Sequence, residues 1–422
     1  MWDSKLLEKI EDKTGVIGIV GLGYVGLPLA IAFKNKGYMV YGYDTDINKV
    51  NAVNDRKSYI NHIKDIPAIH ATNCSDKLNF CDFIIVTVPT PLTKHRIPDL
   101  SYLTDAVKTI SLSLRSGQFI SIESTTYPGT TREELIPILE SSGLKFDEDF
   151  FVAFSPERED PNNANYTITN IPKVVGGCSE KSQMIANKLY GTICDKIVPV
   201  SNSDTAEMTK LLENIFRTVN IALVNEMKLV CHKLGINIWE VIDAAKTKPF
   251  GFMPFYPSPG LGGHCLPLDP FYLSYKAAEK GMFVRFIEIA GEINANMPYY
   301  VVKKTMEAMS KNGDTIKNSN ILILGLAYKK DVGDIRESPA ITIITELKRL
   351  EANIYVYDPF IKMNEKGIID MEELCTDSMD CVIVVTDHTD VDYEYIAENA
   401  YLIIDTRNIF AKLGLKGNII LV

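Results

Sequence analysis

The sequence predicts an α/β protein built from two doubly wound domains that are joined by a long central helix and a helical middle domain. Three observations carry that prediction. Short, nearly continuous apolar runs recur near both ends of the chain, separated by lengths that suit helices. A stretch with neither Gly nor Pro lies between the two sets. At 422 residues the chain is also too long for one ordinary core, so two or three domains each bury an interior.

The first run, Val16-Ile17-Gly18-Ile19-Val20, has the pattern of a strand buried on both faces of a parallel sheet. Others follow at Tyr38 to Tyr43, Phe83 to Val88 and Phe119 to Ile122. The same rhythm returns at Ile321 to Leu324, Ile354 to Tyr357, Val382 to Val385 and Leu402 to Ile404. Its first two strands end at Gly325 and Asp358, as the earlier pair end at Gly21 and Asp44, so the second domain reads as a divergent copy of the first. Between them, Asp204 to Leu234 carries apolar residues at Leu211, Leu212, Ile215, Phe216, Val219, Ala222 and Leu223, the periodicity of a long helix. Its outer apolar positions fit either a core or a subunit interface. These features divide the chain at 1–203, 204–313 and 314–422.

Apolar residues make up 46% and charged residues 23%, near the averages for globular proteins. Lys and Arg total 44 against 54 Asp and Glu, a formal charge of −10, and no basic run is longer than a pair. Such a surface argues against nucleic acid and anionic membrane as partners. Met1 to Lys13 is charged and lacks the apolar core of a signal peptide, and no long apolar stretch follows, so a cytoplasmic protein is expected. The eight cysteines form no C-x-x-C pair and are expected to be reduced thiols. The six histidines show no zinc spacing, and no metal is expected.

Gly21-Leu22-Gly23-Tyr24-Val25-Gly26 follows the first strand directly and opens a helix rich in Leu and Ala. The first glycine permits a tight turn, the second lets backbone approach a pyrophosphate, and the third allows helix and strand to pack closely. The helix N-terminus adds free N–H groups and a favourable dipole for phosphate. Asp44 lies twenty-three residues after Gly21, at the end of the second strand, where its carboxylate can accept ribose hydroxyls and would repel a 2′-phosphate. Strand, turn, helix and acid together predict a Rossmann-like site for NAD rather than NADP. Lys49 fits a phosphate contact and an ordinary solvated lysine equally. The second domain lacks the full fingerprint and is expected to bind something else.

A second unusual stretch runs from Phe255 to Pro270 and contains Gly260-Leu261-Gly262-Gly263-His264-Cys265. Its glycines let backbone lie against a ligand, and Cys265 can present its sulfur there, although most single cysteines are small buried hydrophobes. Beside NAD a thiol makes chemical sense: attack on an aldehyde gives a thiohemiacetal, which loses a hydride to become a thioester. Asp269 suits a base or water-orienting group as well as a helix cap. Lys210 and Asn214, an i, i+4 pair, project from one helix face and suit either an oxyanion or solvent.

On these residues the chain resembles the nucleotide-sugar 6-dehydrogenase family, which includes UDP-glucose and GDP-mannose dehydrogenases. The resemblance runs nearly end to end, through Gly21 to Gly26, Val86-Thr87-Val88-Pro89-Thr90-Pro91, Glu123-Ser124-Thr125, Ser155-Pro156-Glu157-Arg158, Lys210 with Asn214, Gly262-Gly263-His264-Cys265 with Asp269, and Ala327-Tyr328-Lys329-Lys330-Asp331 through Arg336-Glu337-Ser338. It implies two successive oxidations of carbon 6 of a sugar, consuming two NAD and one water and giving a uronic acid that feeds surface polysaccharide synthesis.

By matching position, Cys265 would form the thiohemiacetal and thioester, and Lys210 with Asn214 would steady the oxyanion. Asp269 and Thr125 would hold the water, while Glu157 would assist hydrolysis. Gly21, Gly23, Tyr24, Val25, Gly26, Asp44, Lys49, Thr90 and Thr125 would line the cofactor, with Arg336 near it. Glu157, Arg158, Lys210, Asn214, Tyr256, Gly260, Lys329 and Arg407 would contact the UDP-sugar, Tyr256 and Gly260 from the loop that covers the nucleotide.

Leu268 stands where UDP-glucose enzymes commonly carry a lysine, and the Ser155 to Arg158 and Gly263 to Cys265 wording resembles the branch acting on UDP-N-acetylhexosamines. The resemblance therefore favours UDP-N-acetylglucosamine, ahead of its galactosamine and mannosamine epimers. A homodimer or higher homo-oligomer is also expected, with the outer apolar positions of the long helix as the surface that could serve it. UDP-glucose or GDP-mannose oxidation is the alternative within the class. A sensor that binds NAD and a nucleotide sugar without chemistry is the alternative outside it.

Overall fold

The computed structural model of the chain describes residues 2–60, 63–93, 95–158, 166–263, 266–363 and 367–422. They fall into two compact units, residues 1–213 with 271–282 and residues 214–270 with 283–422. Each unit is built around its own sheet.

In the first unit the strands are β1 (Val16–Val20), β2 (Met39–Tyr43), β3 (His70–Thr72), β4 (Phe83–Val86), β5 (Gln118–Ile122), β6 (Phe150–Phe154), β7 (Lys173–Gly177) and β8 (Ile197–Pro199). They lie in the order β3-β2-β1-β4-β5-β6-β7-β8. The first six repeat the 3-2-1-4-5-6 order of a dinucleotide-binding sheet, whose crevice opens where the winding reverses, between β1 and β4. All neighbours are parallel except β6 and β7.

Alternation within these strands explains why the apolar runs are continuous. Ile17, Ile19, Phe83 and Ile85 pack into a core on one face, and Val20, Ile84, Val86, Ile120 and Ile122 into a core on the other. Helices cover both faces, so most positions carry an apolar side chain. Burying one contributes roughly 1.5–3 kcal/mol.

The second sheet contains β9 (Asn320–Leu324), β10 (Asn353–Tyr357), β11 (Ile368–Asp370), β12 (Cys381–Val384), β13 (Ile403–Asp405) and β14 (Ile419–Leu421), in the order β11-β10-β9-β12-β13-β14. It is parallel throughout and repeats the first six-strand order. Ile321, Ile323, Ile383 and Val385 face one core, and Leu322, Leu324, Val382 and Val384 the other.

The predicted long helix is Ser203–Leu234, of which residues 203–213 belong to the first unit and 214–234 to the second. Helices Ile238–Ala245 and Arg285–Lys311 follow in the second unit. Along the long helix Leu211, Asn214, Thr218, Ala222, Asn225 and Lys228 are buried, whereas Phe216, Leu223, Met227, Val230 and Leu234 are exposed. Among the described residues no helix is long and apolar enough to cross a membrane, and no three His, Cys, Asp or Glu side chains are grouped to hold a metal ion.

Candidate active site

In the first unit the chain leaves β1 through Gly21, whose φ of +98° lies in the left-handed region that glycine alone enters freely. Helix Gly26–Asn35 then starts at once, with no side chain capping its first turn and no acidic residue in it. Its free N–H groups are left for an anion. A Cβ at Gly26 would lie 1.8 Å from the Gly21 carbonyl oxygen, so only glycine lets helix and turn pack here. A Cβ at Gly23 would meet nothing within 4 Å, which leaves an open cradle beside the backbone. Thr87, just beyond β4, donates its hydroxyl to the Gly21 carbonyl at 2.8 Å and locks the turn.

Asp44 follows β2 and is buried. Its carboxylate accepts the N–H of Leu22 at 2.8 Å and of Asp46 at 2.9 Å, which aims it at the turn. Each carboxylate oxygen keeps acceptor capacity for a hydroxyl. Lys49 stands 3.7 Å from that carboxylate. Tyr24 is 39% exposed, Val25 precedes the helix, and Thr90 is buried with its carbonyl accepting the Tyr272 hydroxyl at 2.9 Å. Thr125 is half-buried just past β5. The open cradle, the uncapped helix start and the oriented carboxylate fit a dinucleotide.

The same unit holds Lys210, buried on the long helix, whose ammonium donates to the Glu157 carbonyl at 3.1 Å and to its carboxylate at 3.2 Å. Arg158 turns away from that pair: its guanidinium holds the Glu213 carboxylate at 2.7 Å and the Pro172 carbonyl. One turn before Lys210, Glu207 is fully buried. It accepts from the Thr126 hydroxyl, the Gly129 N–H, and both the N–H and hydroxyl of Thr131, at 2.7 to 3.1 Å. Burial lifts its carboxyl to about 7 against the pull of those four bonds. Sequence reasoning passed over Glu207, because a glutamate in a helix ordinarily faces water. The signal was its place with Ala206, Lys210 and Leu211 on the buried face.

In the second unit Asn214 donates to the Asp269 carboxylate at 2.5 Å, and both residues are buried. One turn further on, Thr218 donates to the Leu266 carbonyl at 3.1 Å. The two contacts tie the segment after the glycine loop to the long helix. Asp269 is the first residue of helix Asp269–Glu279, in its first turn, where a carboxylate suits the helix dipole as well as the bond to Asn214. His264 and Cys265 lie outside the described residues.

The loop before them is clamped. The Ser258 N–H donates to Asn225 at 2.9 Å, and the Gly263 N–H to the Arg336 carbonyl at 2.9 Å. A Cβ at Gly262 would meet Tyr328 at 2.4 Å, and one at Gly260 would meet Pro339 at 2.9 Å. Asn225 was also missed by sequence reasoning; it is a buried amide on the long helix that also donates to Asn294.

The remaining expected ligand residues belong to this unit too. Tyr256 stacks on Trp239, ring centroids 5.4 Å apart, and donates to Asp243 at 2.7 Å. Arg336 is engaged by the Asp334 carboxylate, Arg407 donates to the Val385 carbonyl at 2.7 Å, and Lys329 is half-buried beside Tyr328.

The carboxylate equivalent to Asp44 has a different fate. Asp358 accepts N–H groups from Leu326, Ala327 and Phe360 at 2.7 to 3.0 Å, and the His388 ring reaches it at 3.1 Å. Both side chains are fully buried. The second sheet thus carries the same topology without a free ribose acceptor.

Three family models cover most of the chain. Residues 16–194 match the NAD binding domain of the UDP-glucose/GDP-mannose dehydrogenase family, 204–296 its central domain and 322–412 its UDP binding domain. The chain is 35% identical to a UDP-N-acetyl-D-glucosamine 6-dehydrogenase of Salmonella typhi over 88% of its length and 89% of the relative's. It is 36% identical to a UDP-N-acetyl-D-mannosamine dehydrogenase of Pyrococcus horikoshii, over 93% and 95%. A solved structure of the UDP-D-ManNAc dehydrogenase from Pyrococcus horikoshii superposes with a TM-score of 0.85 at 36% identity, covering 93% of this chain and 96% of that one. That of the UDP-N-acetyl-mannosamine dehydrogenase Cap5O of Staphylococcus aureus gives 0.79 at 28%, covering 96% of each. The chain belongs to the UDP-glucose/GDP-mannose dehydrogenase family, and it is an NAD-dependent nucleotide-sugar dehydrogenase.

Proposed function

We propose that the enzyme oxidises carbon 6 of a UDP-N-acetylhexosamine, UDP-N-acetylglucosamine foremost, to the uronic acid by way of a thioester on Cys265. The observation that carries this reading is the buried Asn214–Asp269 hydrogen bond of 2.5 Å, four residues beyond Cys265 in the chain. A carboxylate is costly to bury unless it is bonded. Held by an amide beside a loop too tight for side chains, it is suited to act on a reacting group.

When bound, NAD supplies the hydride acceptor for each of two oxidations, and Gly21, Gly23, Gly26, Asp44 and the start of helix Gly26–Asn35 would hold it. The sugar alcohol loses a hydride and a proton to become an aldehyde. The Cys265 sulfur adds to the aldehyde carbon, and the resulting alkoxide is steadied by the Lys210 ammonium and the Asn214 amide. Loss of a second hydride from that carbon leaves the thioester. Asp269, with Thr125, orients a water and takes its proton; the water oxygen bonds to the acyl carbon, the carbon–sulfur bond breaks, and the thiol is regenerated. Glu157 supports this step and keeps Lys210 in place through its carbonyl and carboxylate. Per sugar, one water is consumed and two hydrides leave.

Tyr256, Gly260, Lys329 and Arg407 are assigned to the nucleotide, Lys329 and Arg407 from within the UDP binding domain match at residues 322–412 and Tyr256 and Gly260 from the central domain match at 204–296. The Pyrococcus horikoshii relative favours a second reading, in which the mannosamine epimer is the substrate. The reading also includes a homodimer: Phe216, Leu223, Met227, Val230 and Leu234 form one exposed apolar stripe on the long helix, which a second copy would cover.

The test is NADH formation with UDP-N-acetylglucosamine, both N-acetyl epimers, UDP-glucose and GDP-mannose. Two NADH per N-acetylhexosamine, and no turnover by Cys265→Ala, are expected. A faster rate on UDP-glucose or GDP-mannose would overturn the substrate class. Normal turnover by the alanine variant would overturn the covalent route.

A further inference from the structure

Lysines are almost never fully buried unless paired, because a long stem lets the ammonium reach water. Lys228, on the long helix within the second unit, breaks that rule. It is 4% exposed, and its Nζ has no hydrogen-bond partner. The ammonium stands over the Tyr300 ring, 5.8 Å from its centroid. A second donor shares its surroundings: the indole Nε1 of Trp239 is also buried without an acceptor. Both residues line one cleft of about 50 Å³, together with His232, Tyr300, Leu421 and Val422.

Two buried donors with no acceptor are costly each on its own, and the more so in one small cleft. The walls cannot rearrange easily to relieve them. Trp239 is held by the Tyr256 ring stacked on it, centroids 5.4 Å apart, and by the Lys412 ammonium, 5.0 Å from the indole centroid. Lys228 is fixed on a helix whose neighbouring turn is held by the Asn225–Asn294 bond.

The charges around the cleft point the same way. Arg407 adds a positive field at Lys228, and Asp405, which opposes it, is already committed to the N–H groups of Arg407 and Phe410. Burial, with Arg407 behind it, pushes the Lys228 ammonium down to about 7, so an added negative charge would restore it.

We infer that this cleft is a second ligand site, whose own lining holds none of the residues assigned to the reaction although Tyr256 and Arg407 border it, and that it takes a small oxyanion: a carboxylate or phosphate group accepting from Lys228 Nζ and Trp239 Nε1. A cation would face the Lys228 ammonium and the indole N–H, both donors, and leave them unpaired. A neutral apolar ligand would leave both donors unpaired. The volume admits a group of a few heavy atoms and excludes a nucleotide. The inference stands whichever sugar the enzyme oxidises.

The chain has two tryptophans, Trp2 and Trp239, so Trp2→Phe makes Trp239 the sole indole reporter. That protein is titrated with sodium phosphate and with sodium acetate, each against sodium chloride at equal ionic strength. A saturable change in Trp239 emission with either oxyanion and not with chloride is expected, phosphate and acetate separating the two chemistries. The added variant Lys228→Met, which keeps the stem and removes the charge, should weaken the response at least tenfold.

No saturable response to either oxyanion overturns the inference, since the cleft then holds only water. So does a response of equal strength in Lys228→Met, which would place the anion elsewhere, for instance at the helix start after Gly23. Should Lys228→Met fail to fold, calorimetric titration of Trp239→Phe replaces it. The heat of oxyanion binding is then expected to weaken at least threefold, and an unchanged isotherm refutes the site.

Discussion

Glu207 offers a stability test that is independent of substrate. Its carboxyl is lifted by burial from an ordinary 4.5 to about 7, and at about 1.36 kcal/mol per pH unit that difference is worth roughly 3 kcal/mol. An acid whose folded value is raised favours the fold while protonated. The contribution is therefore complete below about pH 4.5 and is lost as pH climbs to about 7, above which both states are ionised and the curve flattens. Glu207→Gln has no proton to lose. It also turns an amide towards the Gly129 N–H, leaving that donor unpaired at a constant cost of about 1–3 kcal/mol. Urea denaturation of both proteins from pH 4.5 to 8 measures the difference directly. The advantage of wild type over the variant should shrink by roughly 3 kcal/mol across that window. If the four hydrogen bonds instead outweighed burial, the advantage would grow with pH; a growing or constant gap refutes the reasoning.

Asp44→Asn keeps the shape of the carboxylate but replaces one acceptor with a donor, so NAD affinity should fall roughly tenfold, about one charged hydrogen bond; an unchanged dissociation constant in a fluorescence titration would contradict the ribose assignment. Gly262→Ala places a methyl 2.4 Å from Tyr328, and overpacking of that kind costs about 1–3 kcal/mol. It should cut turnover severely while NAD binding in the first unit stays normal, whereas loss of both together would mean general misfolding. Leu223→Glu with Met227→Glu puts two charges on the exposed stripe of the long helix, and light scattering is expected to report the proposed dimer for wild type and a monomer for the variant. A dimer that survives both charges would move the interface off this helix.

The sheet cores were legible because burial on both faces writes a continuous apolar run into β1, β4, β5 and β12. Strands β3 and β8, three residues each, are too short to carry a period. The reversal at β7 rests on contacts with no local signature: a Cβ at Gly176 would meet the Asn202 carbonyl at 2.2 Å, and one at Gly177 the Gln183 nitrogen at 2.4 Å. The expected runs to Val88 and Tyr38 overshot β4 and β2 by one or two residues; past β4 the Thr87 hydroxyl is given to the Gly21 carbonyl.

At the candidate site, the glycine turn could be read because its geometry is local, and Lys210 with Asn214 because helical spacing is fixed. Their partners, Glu157 and Asp269, lie 53 and 55 residues away and owe their meeting to tertiary structure. Asn225 and Glu207 look like solvated polar residues until the buried face of the long helix is known.

The two sheets share one strand order, yet only one is equipped for a dinucleotide: the second lacks the full glycine fingerprint, and the carboxylate at the end of its second strand is used differently. At Asp44 two backbone N–H groups orient a carboxylate that still has acceptor capacity. At Asp358 three N–H groups and the His388 ring surround its counterpart. The Asp331 N–H donates to His388 Nδ1 at 3.0 Å, so Nε2 carries the hydrogen and points it at Asp358. A ribose hydroxyl would have to displace a buried imidazole to gain the same bond, and this copy is left to serve as the UDP binding domain. One dinucleotide site per chain then bears on the proposed chemistry. Two hydrides cannot be accepted by one NAD, so the spent cofactor must leave and a fresh one enter while the half-oxidised sugar stays behind. A free aldehyde could diffuse away or hydrate in that interval. In the proposed route a carbon–sulfur bond to Cys265 would retain it and present the carbon for the second oxidation, which is why a four-electron oxidation at a single cofactor site calls for a nucleophile.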